Sequence, residues 1–251
     1  MTDLITVTDE GPIRTVRMNR PDKKNALTFA MYEAMAAAVE DAPKLPDLAC
    51  LLLAGSATDF CAGNDIGNFM QTAAEDAGLR TPVMRFLHAL ARCELPVVAA
   101  VQGNAVGIGT TMLMHCDHVV ASSEARLATP FVSLGILPEF GSTLIAPRLM
   151  GHARAFSLLV MGRPLTAAEA KEAGLVNTVV APGAVEAEAV KAARAIAALP
   201  RESVLTAKRL MRGSREEIVA RIDEESTIIR ARLRSPEARA AFEAFMARKK
   251  S

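Results

Sequence analysis

This chain has almost no excess of charge of either sign. Lys and Arg number 29 against 28 Asp and Glu in 251 residues, a formal net charge of +1. Without a global field, nucleic acid is excluded as the main partner. The cysteines at 50, 61, 93 and 116 form no C-x-x-C pair and have no zinc-finger spacing with histidine. His115 and His118 stand three apart around Cys116-Asp117 without a third convergent ligand, so no metal is expected. No apolar run reaches the ~18 residues of a membrane span. The first residues, MTDLITVTDEGPIRTV, carry acids and alternate polar with apolar, unlike a signal or transit peptide. A soluble, cytoplasmic, reduced protein is expected. The dinucleotide fingerprint fails, because Gly107 and Gly109 are followed by Met112, and there is no Gly-Lys-Ser/Thr of a P-loop. A nicotinamide-dependent oxidoreductase is therefore disfavoured. No Gly/Ser linker and no fixed-period repeat occurs.

What is present is apolar and evenly spread: 51% of residues are hydrophobic, in a chain of 26.7 kDa. A chain of this mass buries roughly two-thirds or more of its surface on folding. Ile5 and Val7 before Gly11-Pro12, and Ile13, Val16 and Met18 after it, predict a hairpin. Thr28 predicts a helix N-cap, with Met31, Met35 and Val39 on one face. Short apolar runs at 50–54, 96–102, 118–121 and 176–180 predict buried strands, and Met112–Met114 predicts a short buried helix. Strands alternating with helices over 1–182 predict an α/β fold. From Val185 onward the pattern is helical, over 185–199, 202–211, 216–232 and 236–248. Residues 1–200 carry net −4 and residues 201–251 net +5. This basic, half-apolar tail has three places to pack: its own core, a neighbouring subunit or an anion.

Three segments have chemical potential. Val101–Met112 follows a strand and opens a helix, so its glycines aim backbone N–H groups and a helix dipole at one point. It is either a tight connection or an oxyanion-binding N–H near Ile108. Asp59–Asn68 holds Gly63, Asn64 and Gly67; it is either a surface Asx-turn or a second N–H donor at Asn64. Glu139 is the only acid between Ala125 and Ala168 and is flanked by Leu137 and Phe140. It is either a base with a pKa raised by apolar surroundings or a first-turn acid complementing the next helix. Lys23-Lys24 is either a solvated pair or a phosphate contact.

In this order the segments resemble the crotonase family, also called the enoyl-CoA hydratase/isomerase superfamily. The resemblance rests on Asn19–Leu27, Phe60–Ile66, Pro96–Asp117, Leu165–Val176 and the tail Ala241–Lys250, and covers nearly the whole chain. It implies a crotonase-like spiral of β-β-α repeats over residues 1–195. Residues 196–251 would then form a helical oligomerisation region giving a homotrimer or hexamer. It implies an acyl-CoA thioester substrate, with no cofactor besides the coenzyme A that the substrate carries. The Asn64 and Ile108 N–H groups would hold the thioester oxygen. Ala26, Ala62, Asp65 and Ile66 would meet the adenine and pantetheine, and Lys23 or Lys24 the phosphates.

The departures from the family's hydratases are as informative. Those enzymes use two glutamates around the added water; here the positions hold Thr111 and Phe131. Glu139 stands instead where peroxisomal-type Δ3,Δ2-enoyl-CoA isomerases carry their base. That resemblance implies isomerisation in fatty-acid β-oxidation, with Glu139 moving a proton from C2 to C4 and Phe131, Leu137 and Phe140 as apolar walls. A hydratase, another single-base enzyme of the family, or a silent acyl-CoA-binding protein are the alternatives.

Overall fold

The computed structural model describes residues 3–65 and 81–248. Strand β1 (Ile5–Glu10) turns at Gly11 into antiparallel β2 (Ile13–Met18), as the alternation predicts. Thr28 caps α1 (Phe29–Asp41), its hydroxyl accepting from the Met31 N–H. Such a cap contributes about 1 kcal/mol. Next come β3 (Cys50–Ala54), α2 (Thr81–Arg92) and β4 (Val97–Val101). They are followed by β5 (Asn104–Val106), α3 (Ile108–Thr111), β6 (His118–Ser122) and β7 (Arg126–Ala128). Helices α4 (Ser142–Met150) and α5 (His152–Leu159) lead to β8 (Leu165–Thr166), α6 (Ala167–Glu172) and β9 (Thr178–Val180). The chain ends in α7 (Val185–Ala197), α8 (Arg201–Arg212), α9 (Arg215–Leu233) and α10 (Pro236–Arg248).

The main sheet runs β1-β2-β3-β4-β6-β9, parallel except for the first pair. Strands β3 and β4 are buried at every residue because both sheet faces are covered. Leu51, Leu53, Val97 and Ala99 face the main core. Leu52, Ala54, Val98 and Ala100 face Val185, Ala189 and Ala193 of α7. Strand β9 starts two residues later than the apolar run predicts. The Val176 N–H is held by the Ala170 carbonyl at the end of α6, so that residue closes a turn instead of joining the sheet.

A second, smaller sheet, β5-β7-β8, lies beside the first. Single bridges Cys61↔Ala105 and Leu27↔Asn64 extend it. Each pass of the chain thus gives one strand to the large sheet and one short segment to the small ladder. This is the β-β-α spiral of a crotonase fold. The tail packs largely on its own chain. Ile218, Val219 and Ile222 of α9 join the main core, while Ile229, Leu233 and Ala238 cover Phe131 and Ile136. Residue 195 lies within α7.

Candidate active site

The small ladder gathers the segments that the sequence kept apart. The Ala62 N–H bonds the Lys24 carbonyl at 2.9 Å, the Leu27 N–H the Gly63 carbonyl at 2.8 Å, and the Val106 N–H the Cys61 carbonyl at 2.8 Å. Buried Asn25, at φ 57°, locks the lysine loop by donating to the Asp59 and Phe60 carbonyls at 2.8 and 3.1 Å. Along this ladder runs a cleft of about 610 Å³. Asp22, Lys23, Lys24, Ala26, Ala62 and Asp65 line one part; Gly107, Ile108, Phe131, Leu134, Ile136 and Phe242 line another. Lys23 and Lys24 are exposed and form no ion pair among the described residues, whereas Asp65 is paired with Arg20 at 2.8 Å.

Two residues that line the cleft carry backbone donors without an acceptor among the described residues. In the Leu27↔Asn64 bridge the bonds run from Leu27 to Gly63 and from Asp65 to Leu27, which leaves the Asn64 N–H over. Ile108 is the first residue of α3, so its N–H has no place in the helix ladder. Neither N–H has an acceptor among the described residues, and both residues line the cleft. The turn depends on Gly107, at φ 57° and ψ −119°, a conformation that side chains resist. The Asn64 side chain makes no Asx-turn: its Oδ1 accepts from the Tyr32 hydroxyl at 2.5 Å.

Glu139, the expected base, is not itself among the residues that line the cleft and is only 7% exposed; its link to the cleft runs through the start of α3. Thr111, one turn after Ile108, donates its hydroxyl to Glu139 Oε1 at 2.5 Å. Burial pushes the Glu139 carboxyl up to about 8; the Thr111 bond opposes this and the charge of Glu225 adds to it. Burial also raises the Tyr32 phenol, with the Glu139 charge contributing. Thr111 thus ties the carboxyl to the helix that Ile108 opens, and Tyr32, which holds the Asn64 side chain, is near enough to feel its charge. Glu139 does not complement the next helix. That role belongs to Glu225 of α9, which accepts from the Gly141 and Thr143 N–H groups at 2.6 and 3.1 Å.

Three expected wall or contact residues do not line the cleft. Phe140 turns away into the core, stacked on His115 with centroids 4.0 Å apart and edge-on to Phe86 at 6.0 Å. The Glu139 and Phe140 side chains leave the chain in different directions because Phe140 adopts φ 66°. Leu137 packs with the cluster beneath α10, and Thr111 is fully buried against Glu139. Leu134, Ile136 and Phe242 supply apolar lining instead, beside Phe131. Ile66 lies outside the described residues. Tyr32, Asn25 and Phe242 were missed from the sequence. Tyr32 sat on the apolar face of a helix, and a contact from residue 242 to residue 131 leaves no local pattern.

Comparison with known proteins decides the lineage. The family model described as enoyl-CoA hydratase/isomerase matches residues 8–251. This chain belongs to the enoyl-CoA hydratase/isomerase family. It is 38% identical over 250 residues to enoyl-CoA delta isomerase 2 of Rattus norvegicus, covering 98% of this chain. The chain spans 64% of the length of that relative. It is 30% identical to a probable enoyl-CoA hydratase of Rhizobium meliloti, covering 99% of this chain and 97% of that one. Among solved structures, OdaA of Pseudomonas aeruginosa superposes with a TM-score of 0.93 at 44% identity, covering 98% and 99% of the two chains. Among the described residues, no cluster of three or more His, Cys, Asp or Glu could hold a metal. No described helix is long and apolar enough to cross a membrane.

Proposed function

We propose that the protein is a Δ3,Δ2-enoyl-CoA isomerase of fatty-acid β-oxidation. One observation carries this: the buried carboxyl of Glu139 is bonded by Thr111 of the helix that Ile108 opens, in a chain whose Thr111 and Phe131 occupy the positions of a hydratase's acid pair. Glu225, a buried carboxylate whose charge reaches Glu139, has both oxygens taken by donors of the 141–143 turn. A water held between two working carboxylates therefore has no support here.

The acyl-CoA enters with its phosphates at Lys23 and Lys24 and its thioester oxygen on the Asn64 and Ile108 N–H groups. Glu139 removes a proton from C2 of a 3-enoyl-CoA. The C–H pair moves into a dienolate whose negative oxygen the two N–H groups hold. The same carboxyl returns the proton at C4 as the C3–C4 π pair forms the new C4–H bond. The double bond ends at C2–C3 and the carbonyl is restored. One group accepts and returns the proton, and a carboxyl with a pKa of about 8 is matched to both tasks near neutral pH. The proton shift is redox-neutral and calls for no further cofactor.

The deciding assay is conversion of 3-hexenoyl-CoA to 2-hexenoyl-CoA, followed by conjugated-enoyl absorbance. Turnover supports the isomerase. Hydration of 2-hexenoyl-CoA without isomerisation would make the protein a hydratase, and tight binding without turnover a silent acyl-CoA binder.

A further inference from the structure

The segment that carries Glu139 is bent against its own preferences. Phe140 lies at φ 66° and Gly141 at φ 68°, two successive left-handed residues just before α4. A phenylalanine resists this region, so the surroundings must impose it. Two buried polar side chains from different parts of the chain bond the bend. His115 Nε2 bonds the Phe140 carbonyl at 2.7 Å while its ring stacks on the Phe140 ring. A carbonyl only accepts, so Nε2 carries the proton. Burial, with Arg212 nearby, lowers the His115 pKa to about 3, so the ring is neutral and Nδ1 is left without a partner. A buried imidazole that leaves one nitrogen unsatisfied is costly, and its single bond is to this turn.

Glu225 is 4% exposed and accepts three hydrogen bonds from the bend and the helix start after it. They come from the Gly141 N–H at 2.6 Å, the Thr143 N–H at 3.1 Å and the Thr143 hydroxyl at 2.6 Å. Arg221, one turn earlier on α9, reaches the Thr143 hydroxyl at 3.1 Å. These are the donors that a helix start leaves unpaired, and a carboxylate there is favoured by the helix dipole.

We propose that His115 and Glu225 are positioning residues for the reaction: a pair of clamps that holds the strained 139–141 turn so that the Glu139 carboxyl meets the reacting carbons. The proposal rests on the isomerase reading for its catalytic meaning. Neither side chain lines the cleft, so both act through the turn. The electrostatic coupling agrees, since the Glu225 charge is one of the causes that raise Glu139.

The test uses the full chain with Glu225→Gln and Glu225→Ala. Glutamine keeps the volume but turns an NH2 toward a turn N–H. A displacement of about 1 Å at a reacting group costs on the order of 10²-fold. We expect Glu225→Ala to lose about 10²-fold in kcat and Glu225→Gln at least about tenfold, each with KM within about threefold. Hydrogen exchange should rise in the 139–145 peptide and stay unchanged in β3 and β4. A folded Glu225→Gln protein with kcat within about threefold of wild type and unchanged exchange overturns the proposal. So does a Glu225→Gln protein in which kcat, KM and the thermal midpoint all deteriorate together, because that reports general destabilisation. Wild type that leaves 3-hexenoyl-CoA untouched defeats the isomerase reading by itself. The exchange measurement needs no substrate and still decides whether Glu225 holds the turn.

Discussion

Glu139 holds its proton to higher pH than an ordinary glutamate because ionising it leaves a charge in a dry site with Thr111 as its hydrogen-bond donor. If it is the base, Glu139→Gln keeps the shape and removes the chemistry. We expect a loss of at least about 10³-fold in kcat with product affinity nearly unchanged. Retention of more than a tenth of turnover would reject the assignment. Thr111→Ala and Phe131→Leu should cost far less, since neither native side chain accepts a proton at neutral pH. The pH profile follows from the same group. The ionised form is the base, so kcat/KM should rise about tenfold per pH unit up to an apparent pKa near 8 and then level off. Stability runs the other way. Between the ordinary value of 4.5 and about 8 the folded chain keeps a proton that the unfolded chain releases, so stability falls as pH rises through that window. Glutamine has no proton to lose. The thermal midpoint of Glu139→Gln relative to wild type should therefore climb from about pH 5 to about pH 8; a pH-independent difference would count against the buried acid.

Between single residues and the whole fold stand the short segments of the small ladder. Helix α3 is set by how closely it approaches its neighbour: a Cβ on Gly109 would lie 2.6 Å from the Cys61 carbonyl oxygen and 2.9 Å from Cys61 Cβ. Gly109→Ala must push the Ile108 segment away from the Asn64 segment. Overpacking of this kind costs about 1–3 kcal/mol, and separating the two donors should lower kcat as well. Gly183→Ala is the control, since a Cβ there meets nothing within 4 Å; thermal melts and turnover of the pair give the comparison. The lysine loop makes a different prediction. Its two cations are exposed at the cleft, so Lys23→Ala with Lys24→Ala should raise KM more than it lowers kcat, and added salt should weaken the wild type in the same direction. Unchanged CoA affinity in the double variant would place the phosphate site elsewhere.

At the scale of the molecule, the helical tail covers part of its own core and still leaves apolar side chains in water. Leu210 is 74% and Met211 87% exposed on α8, and Met161 after α5 is 70% exposed. Surface of this kind on a chain with net charge +1 favours association. We expect a trimer or hexamer in sedimentation at micromolar concentration. A stable monomer would refute that and leave the exposed side chains without a role.

The sequence alone determined whatever depends on neighbours along the chain. The Gly11 turn, the Thr28 cap, the strands at 50–54 and 97–101 and the helix 236–248 are local periodicities and caps, so they could be read directly. Glu139 stood out because no other acid shares its stretch, and Asn64 and Ile108 because they sit in Gly-rich turns. Tertiary structure decided what each of these faces. The small ladder was invisible because strands of two or three residues carry too few side chains to show a period. Only the fold shows that Phe140 packs into the core while Glu139 bonds Thr111 of α3, since a left-handed residue redirects the chain without changing composition. Only the fold gives Glu225, more than eighty residues away in sequence, the helix-capping role that local spacing offered to Glu139. Burial does the rest: desolvation depends on every atom within a few ångströms, and those atoms come from segments that the chain itself keeps far apart.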